Sequence, residues 1–382
     1  MESDLDKMLI GVSTSAHQTE GGNKFSDWFY FEQTGRLKHK SEAGTPDSYH
    51  HYEDDVRLMA NLGFNAYRFS IEMARVMPEE GVIDKAELQH YRDVVNALNK
   101  NGIEPVPTLW HWTLPMWFYK KGGFADKENL QHFERYAETV ADEVLDGRYV
   151  LTLNEPSGYA FSSRLGGFFP PFEHSPYKTA KVMGNLARTH NDLVPILRKK
   201  GFEVSFAQNY VLFNGPGPLA LPSAIADYVN NLWILDHTES DFIGLNYYRN
   251  NNFLPKFRRD KLTDMGWRVN PAGLEKALVR LDKRYGKPIL VTENGIATGD
   301  DTRRQNFIKE HFDSLLKAKA RGVNVLGYLH WSLLDNFEWT FGYTKKFGVA
   351  GFDPLTKERR AKDSARVLGD LARSYGSRKP KR

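Results

Sequence analysis

The chain has 382 residues, 41% hydrophobic and 26% charged, with a formal charge of +4 and no cysteine. This composition suits a globular chain with a large core, and it excludes thiol nucleophiles, cysteine-ligated zinc, iron–sulfur clusters and disulfides. Charges of both signs are mixed along the sequence, no run approaches membrane-spanning length, and the opening residues are acidic, so neither nucleic acid nor a membrane is the expected partner and a cytoplasmic setting is expected.

Short apolar runs rich in β-branched residues alternate with longer amphipathic ones throughout. In chain order, strands are predicted over 8–16, 65–72, 103–112, 149–155, 203–211, 241–248, 288–293 and 325–334. The helices that follow them fall near 49–62, 84–100, 127–144, 176–199, 220–235, 272–284, 302–321 and 361–375. Gly63, Gly102, Gly201, Gly286 and Gly322 stand where such helices should stop. Eight βα rounds without a long linker predict an α/β fold, a single (β/α)8 barrel over 1–376, with the basic 377–382 as a disordered, solvated tail. No G-x-G-x-x-G or phosphate-binding loop supports a doubly wound alternative.

In such a barrel the chemistry sits at the C-terminal ends of the strands. Those ends carry Gln18 with Glu20, Arg68 with Glu72, His111 with Trp112, Asn154 with Glu155, Asn209 with Tyr210, Asn246 with Tyr248, Glu293 with Asn294, and Trp331 with 335–339. Amides and carboxylates hydrogen-bond hydroxyls, and indole faces cover the C–H faces of a ring, so this rim suits a neutral sugar. Glu155 and Glu293 each close an otherwise apolar strand, and carboxylate pairs cleave glycosidic bonds.

The ordered set Tyr67-Arg68-Phe69-Ser70, His111-Trp112, Asn154-Glu155-Pro156, Asn246-Tyr247-Tyr248, Thr292-Glu293-Asn294-Gly295 and Trp331 through Trp339 resembles glycoside hydrolase family 1, the retaining β-glycosidases. Ser26-Asp27-Trp28 and Pro170-Pro171-Phe172 are similar to archaeal members. The resemblance implies Glu155 as acid/base, with Asn154 holding the sugar 2-hydroxyl, and Glu293 as nucleophile, kept ionised and oriented by Arg68 and Tyr248 with Asn246 in support. It implies Gln18, His111, Trp112, Glu338, Trp339 and Phe347 around the nonreducing sugar and Trp331 beneath it. It implies no cofactor and no metal. Two carboxyls in a retaining site lie roughly 5–5.5 Å apart, and their repulsion, about 3 kcal/mol at an effective dielectric near 20, keeps one of them protonated near neutrality.

The substrate implied is an unphosphorylated β-glucoside, with β-galactosides and β-fucosides also accepted, because an anionic Glu338 would repel a sugar phosphate. β-Mannosides, a sugar-binding protein without turnover and a metal-dependent hydrolase are the alternatives. Against a metal, His17 and Glu20 lack a third partner at metal spacing, and Asp300 with Asp301 reads as a helix cap. Glu72 is expected to pair with Arg75 or another rim arginine. His50, His51 and His90 read as surface residues, and Trp117 and Trp267 fit an outer sugar platform or loop seals equally. Two departures from the family pattern stand out. Met73 occupies a position where Trp is common, and the segment between Val211 and Asp241 is short, which should open the leaving-group side.

Overall fold

The computed structural model describes residues 8–215, 217–252 and 262–376; the tail expected over 377–382 lies outside them. Eight parallel strands close a barrel in sequence order: β1 (Leu9–Ser13), β2 (Ala66–Ser70), β3 (Glu104–Thr108), β4 (Tyr149–Asn154), β5 (Glu203–Asn214), β6 (Ile243–Asn252), β7 (Ile289–Asn294) and β8 (Val325–Trp331). β1 pairs with both β2 and β8, so no edge strand is left in the barrel. The five glycines expected to stop helices all have positive φ, from 61° at Gly286 to 93° at Gly201 and Gly322, a conformation that costs glycine least.

The strand alternation sorts the core into two layers. Ala66, Val106, Leu151, Ala207, Leu290 and Leu329 form a cluster inside the barrel, while Tyr67, Phe69, Val150, Phe206, Leu245 and Val291 join the larger layer beneath the helices. Along β2 this alternation sends Arg68 inward, one step above Ala66. The two strands that end in the rim glutamates break the alternation. Leu151 faces Ser205 and Asn154 faces Ala207, so β4 holds one residue more than β5 over that stretch. Likewise Leu245 faces Val291 and Asn246 faces Glu293, so β7 holds one residue more than β6. An extra residue shifts the side-chain phase by one, which turns Asn154 and Glu293 toward the axis.

Several expected boundaries move. The strand expected over 8–16 ends at Ser13, and Gln18 rides on the short helix Ala16–Thr19. The strands expected over 203–211 and 241–248 run on to Asn214 and Asn252, because after a register shift Leu212 pairs with Asn250 and Phe213 with Asn251. They rise past the rim as a two-stranded ribbon. The helix expected over 220–235 is broken into Ala220–Asp227, a wide turn Tyr228–Leu232 and Trp233–Asp236. Its cause is Asn231, fully buried, whose amide accepts from the Val211 N–H at 3.0 Å and donates to the Val211 carbonyl at 2.7 Å. A regular helix would not hand that amide to the strand backbone. A small antiparallel pair, β9 (Ala350–Phe352) with β10 (Arg359–Ala361), was not expected from the sequence. Among the described residues no helix is long and apolar enough to cross a membrane.

Candidate active site

A cavity of about 280 Å³ opens at the C-terminal end of the barrel. Gln18, His111, Trp112, Asn154, Glu155, Tyr248, Glu293, Trp331, Glu338, Trp339 and Phe347 line it, and Arg68 and Asn246 stand directly behind the two glutamates. The residues that the resemblance assigned to catalysis and sugar binding therefore meet in one place, whereas Glu20, Glu72, Tyr210 and Asn294, also at strand ends, lie outside the lining. Asn209, Met265, Trp267, Phe169, Thr340 and Phe341 complete the wall. Of these, Asn209 and Trp267 carried a signal in the sequence, as a strand-end amide and a loop tryptophan. Phe169 and Met265 carried none, because nothing local marks a loop residue as facing a cavity.

The two glutamates have different surroundings. Glu293 receives hydrogen bonds on one oxygen from Arg68 Nη1 and on the other from the Tyr248 hydroxyl at 2.6 Å. Arg68 is itself fixed by Nη2 donating to Asn154 Oδ1 (2.7 Å) and Nε donating to Thr108 Oγ1 (3.0 Å). A cation and a phenol thus hold the two oxygens of Glu293 in place. Glu155 has only neutral donors, Asn246 Nδ2 at 2.9 Å and the Asn209 amide. Burial first, and then the charge of Glu293, push its carboxyl up to about 8. Repulsion between the pair, the cause expected from the sequence, is thus the second contribution. Asn246 is aligned in turn by Thr292, whose hydroxyl donates to its Oδ1 at 2.7 Å.

Backbone conformation contributes as well. Glu155 has φ 44°, Trp112 φ 78° and Trp339 φ 47°, so three of the six non-glycine residues with positive φ among the described residues line this cavity. Such conformations persist only where surrounding packing imposes them. Gly295 follows the second glutamate because a Cβ there would lie 2.0 Å from the Trp331 carbonyl oxygen.

Two polar atoms on the cavity wall are buried without partners, His111 Nδ1 and Glu338 Oε2. His111 Nε2 lies 3.1 Å from Asn154 Nδ2, which can only donate, so the imidazole accepts there and carries its proton on Nδ1. Burial first and then the Arg68 charge hold His111 well below the usual histidine range, which keeps it neutral. Burial and the two other glutamates push Glu338 up to about 8. A raised carboxyl weakens the charge repulsion of a sugar phosphate expected from the sequence. Arg68, the guanidinium at the cavity floor, is taken by Glu293 and Asn154. Gln18 is less free than expected, since its amide donates to the Phe337 carbonyl (2.7 Å) and Asn336 (3.2 Å) and accepts from Ser15 (2.7 Å). Trp112 presents its ring, because its N–H is bonded to the Asn154 carbonyl at 3.0 Å.

Other expectations change. Glu72 does not pair with Arg75: it caps the helix Met73–Val76 and accepts from Thr113 at 2.7 Å, while Arg75 pairs with Glu20 at 2.9 Å. His90 is not a free surface residue but stacks on Tyr49 at 3.9 Å, and burial holds it down to about 4. His50 is exposed as expected and pairs with Asp47, while His17 pairs with Glu32 in the interior. Trp117 seals a loop by donating to the Met77 carbonyl, whereas Trp267 reaches the cavity. Asp300 caps the helix Asp301–Ala320 as expected. Met73 is buried and lies outside the cavity lining.

A closed (β/α)8 barrel with two such carboxyls in a sugar-sized cavity defines a class of glycoside-cleaving enzymes, and the comparisons agree. The chain matches the model of Glycosyl hydrolase family 1 over residues 4–211 and 250–377, and it belongs to that family of glycoside hydrolases. It is similar to a beta-glucosidase A of Thermotoga maritima, 31% identical over 96% of this chain and 97% of the relative. That alignment runs to 435 positions, more than this chain holds, so the relative carries segments absent here. A bifunctional beta-D-glucosidase/beta-D-fucosidase of Bifidobacterium breve is 31% identical over 93% of this chain and 95% of its own. Among solved structures, a beta-glycosidase from Pyrococcus horikoshii superposes with a TM-score of 0.90 at 37% identity, covering 98% of this chain and 95% of that one.

Proposed function

We propose that the chain, as one catalytic unit over 1–376, is a retaining β-glycosidase that removes terminal nonreducing β-D-glucosyl residues through a covalent intermediate on Glu293. The observation that carries this reading is the unequal environment of the two carboxyls, one bound by a guanidinium and a phenol, the other pushed up to about 8. In the first step Glu293 attacks the anomeric carbon while Glu155 gives its proton to the departing oxygen. Arg68 and Tyr248 hold the attacking carboxylate in place, and the backbone at Glu155 aims the acid. Once Glu293 is esterified its charge is gone, and departure of the aglycone lets water reach Glu155. Both contributions that raised its pKa then fall, and Glu155 becomes the base that activates water.

His111 Nδ1–H and the Glu338 carboxyl are the unpaired atoms available to sugar hydroxyls, with Trp331 as the apolar floor. A protonated Glu338 can both donate and accept, which suits either orientation of a sugar 4-hydroxyl. Acceptance of β-galactosyl and β-fucosyl residues follows, and the similarity to a glucosidase/fucosidase supports it. The test is to follow hydrolysis of an aryl β-glucoside by NMR before mutarotation. β-Glucose as the first product is expected. α-Glucose first would rule out the covalent route, and no glucose from folded protein would leave a sugar-binding barrel.

A further inference from the structure

Among the described residues, five buried or half-buried arginines are engaged with carboxylates: Arg68 with Glu293, Arg75 with Glu20, Arg164 with Glu173, Arg280 with Asp227 and Arg359 with Asp55. Arg249 is different. It follows Tyr248 on β6, where the strand leaves the barrel, and among the described residues it has no ion pair or hydrogen bond. Its guanidinium carbon lies over the Trp267 ring at 5.3 Å, and Trp267 lines the cavity, packed against Tyr248 at 5.5 Å. Burial holds the arginine below its ordinary range. A cation partly removed from water, over an aromatic face and with no ion pair among the described residues, is a site whose partner arrives with a ligand.

We infer that Arg249, with Trp267, is the hook for an anionic leaving group, an aglycone bearing a carboxylate or an equivalent oxyanion. The inference rests on the assignment of Glu155 as the acid, because the leaving group must pass the acid that protonates it. Arg249 follows Tyr248 in the chain and lies over Trp267, and both of those residues line the cavity that holds the acid. The guanidinium offers a planar pair of N–H donors to an oxyanion, and Trp267 offers its ring to an aryl carrier of that oxyanion.

The test uses two aryl β-D-thioglucosides that resist hydrolysis, para-carboxyphenyl and para-carbamoylphenyl, with binding measured by calorimetry near pH 6.5 in low salt. The carboxylate is expected to bind about tenfold more tightly than the amide, a margin that shrinks with added salt. In Arg249→Gln the ratio should fall to about one, and Arg249→Lys should restore part of it. Equal affinities in the parent, or a ratio retained in Arg249→Gln, overturns the inference. Turnover of the corresponding O-glucosides separates this from the function itself. A binding preference without turnover removes the catalytic reading alone, turnover without a preference removes the Arg249 role alone, and no binding of either compound removes both.

Discussion

The cavity has one closed wall and one open one. At the ends of β1, β3 and β8, Gln18, His111, Trp331 and Trp339 are all buried, and the backbones of Trp112 and Trp339 sit in the left-handed region under dense aromatic packing, with Trp112 and Trp339 5.0 Å apart. Opposite, the β5–β6 ribbon rises past the rim, Trp267 and Arg249 are half-buried, and the helix Ala220–Asp227 leaves Leu221 70% and Ile225 56% exposed. The family match covers the closed wall completely and breaks off over 212–249, the stretch that builds much of the open one. The difference teaches how recognition is divided. A rigid wall with unpaired polar atoms can read one sugar, while an exposed ribbon admits varied aglycones and is free to differ between relatives.

The largest effect should come from the floor shared by both walls. Glu293→Ala is expected to lower kcat/KM by about 10⁴-fold or more for every leaving group alike. Azide should restore some turnover as an α-linked product, and a β-linked product would assign the nucleophile elsewhere. Glu155→Ala should distinguish the walls by leaving group, with losses of about 10³-fold for alkyl glucosides and far smaller ones for nitrophenyl glucosides. Equal losses on both would remove Glu155 as the acid.

On the closed wall, Glu338→Gln is expected to cost about a hundredfold in kcat/KM, because a buried polar group is left badly matched to the sugar, and the loss should not depend on the aglycone. A loss confined to one class of aglycone would mean that the walls are not separate in function. The pH profile gives a smaller and graded signal. Glu155 works protonated and its carboxyl is raised to about 8, so kcat/KM for an alkyl glucoside should fall as pH rises through that value, by about tenfold per unit beyond it. The alkaline limb should disappear in Glu155→Gln. On the open wall, Ile225→Ser should change thermal stability by no more than about 0.5 kcal/mol, since the side chain is already largely in water.

The barrel was legible because each βα unit repeats one local pattern, an apolar strand, an amphipathic helix and a glycine stop, and eight repeats leave few ways to close a sheet. The helix over 176–199 was placed to the residue, since Ser175 caps it, Pro176 starts it and Gly201 follows it. The site residues were legible because strand ends in such a barrel face one another whatever the loops do. Less legible were the partners of single charged side chains. Glu72 and Arg75 are near in sequence, yet Arg75 turns to Glu20 and Glu72 to Thr113, which arrive from other βα units.

By itself, then, the sequence determined the repeat, the strand ends and the chemical types on the rim, because all of these follow from local periodicity. Only the tertiary structure decided how the two carboxyls differ in surroundings, through the burial of Glu155 and the two donors on Glu293. It also decided the extra residues in β4 and β7 that swing Asn154 and Glu293 toward the axis, the buried Asn231 that breaks a helix, and the seat of Arg249 over Trp267 with no ion pair among the described residues. Burial, strand register and the lack of a partner are properties of surroundings assembled from distant segments, and no local pattern of residues encodes them.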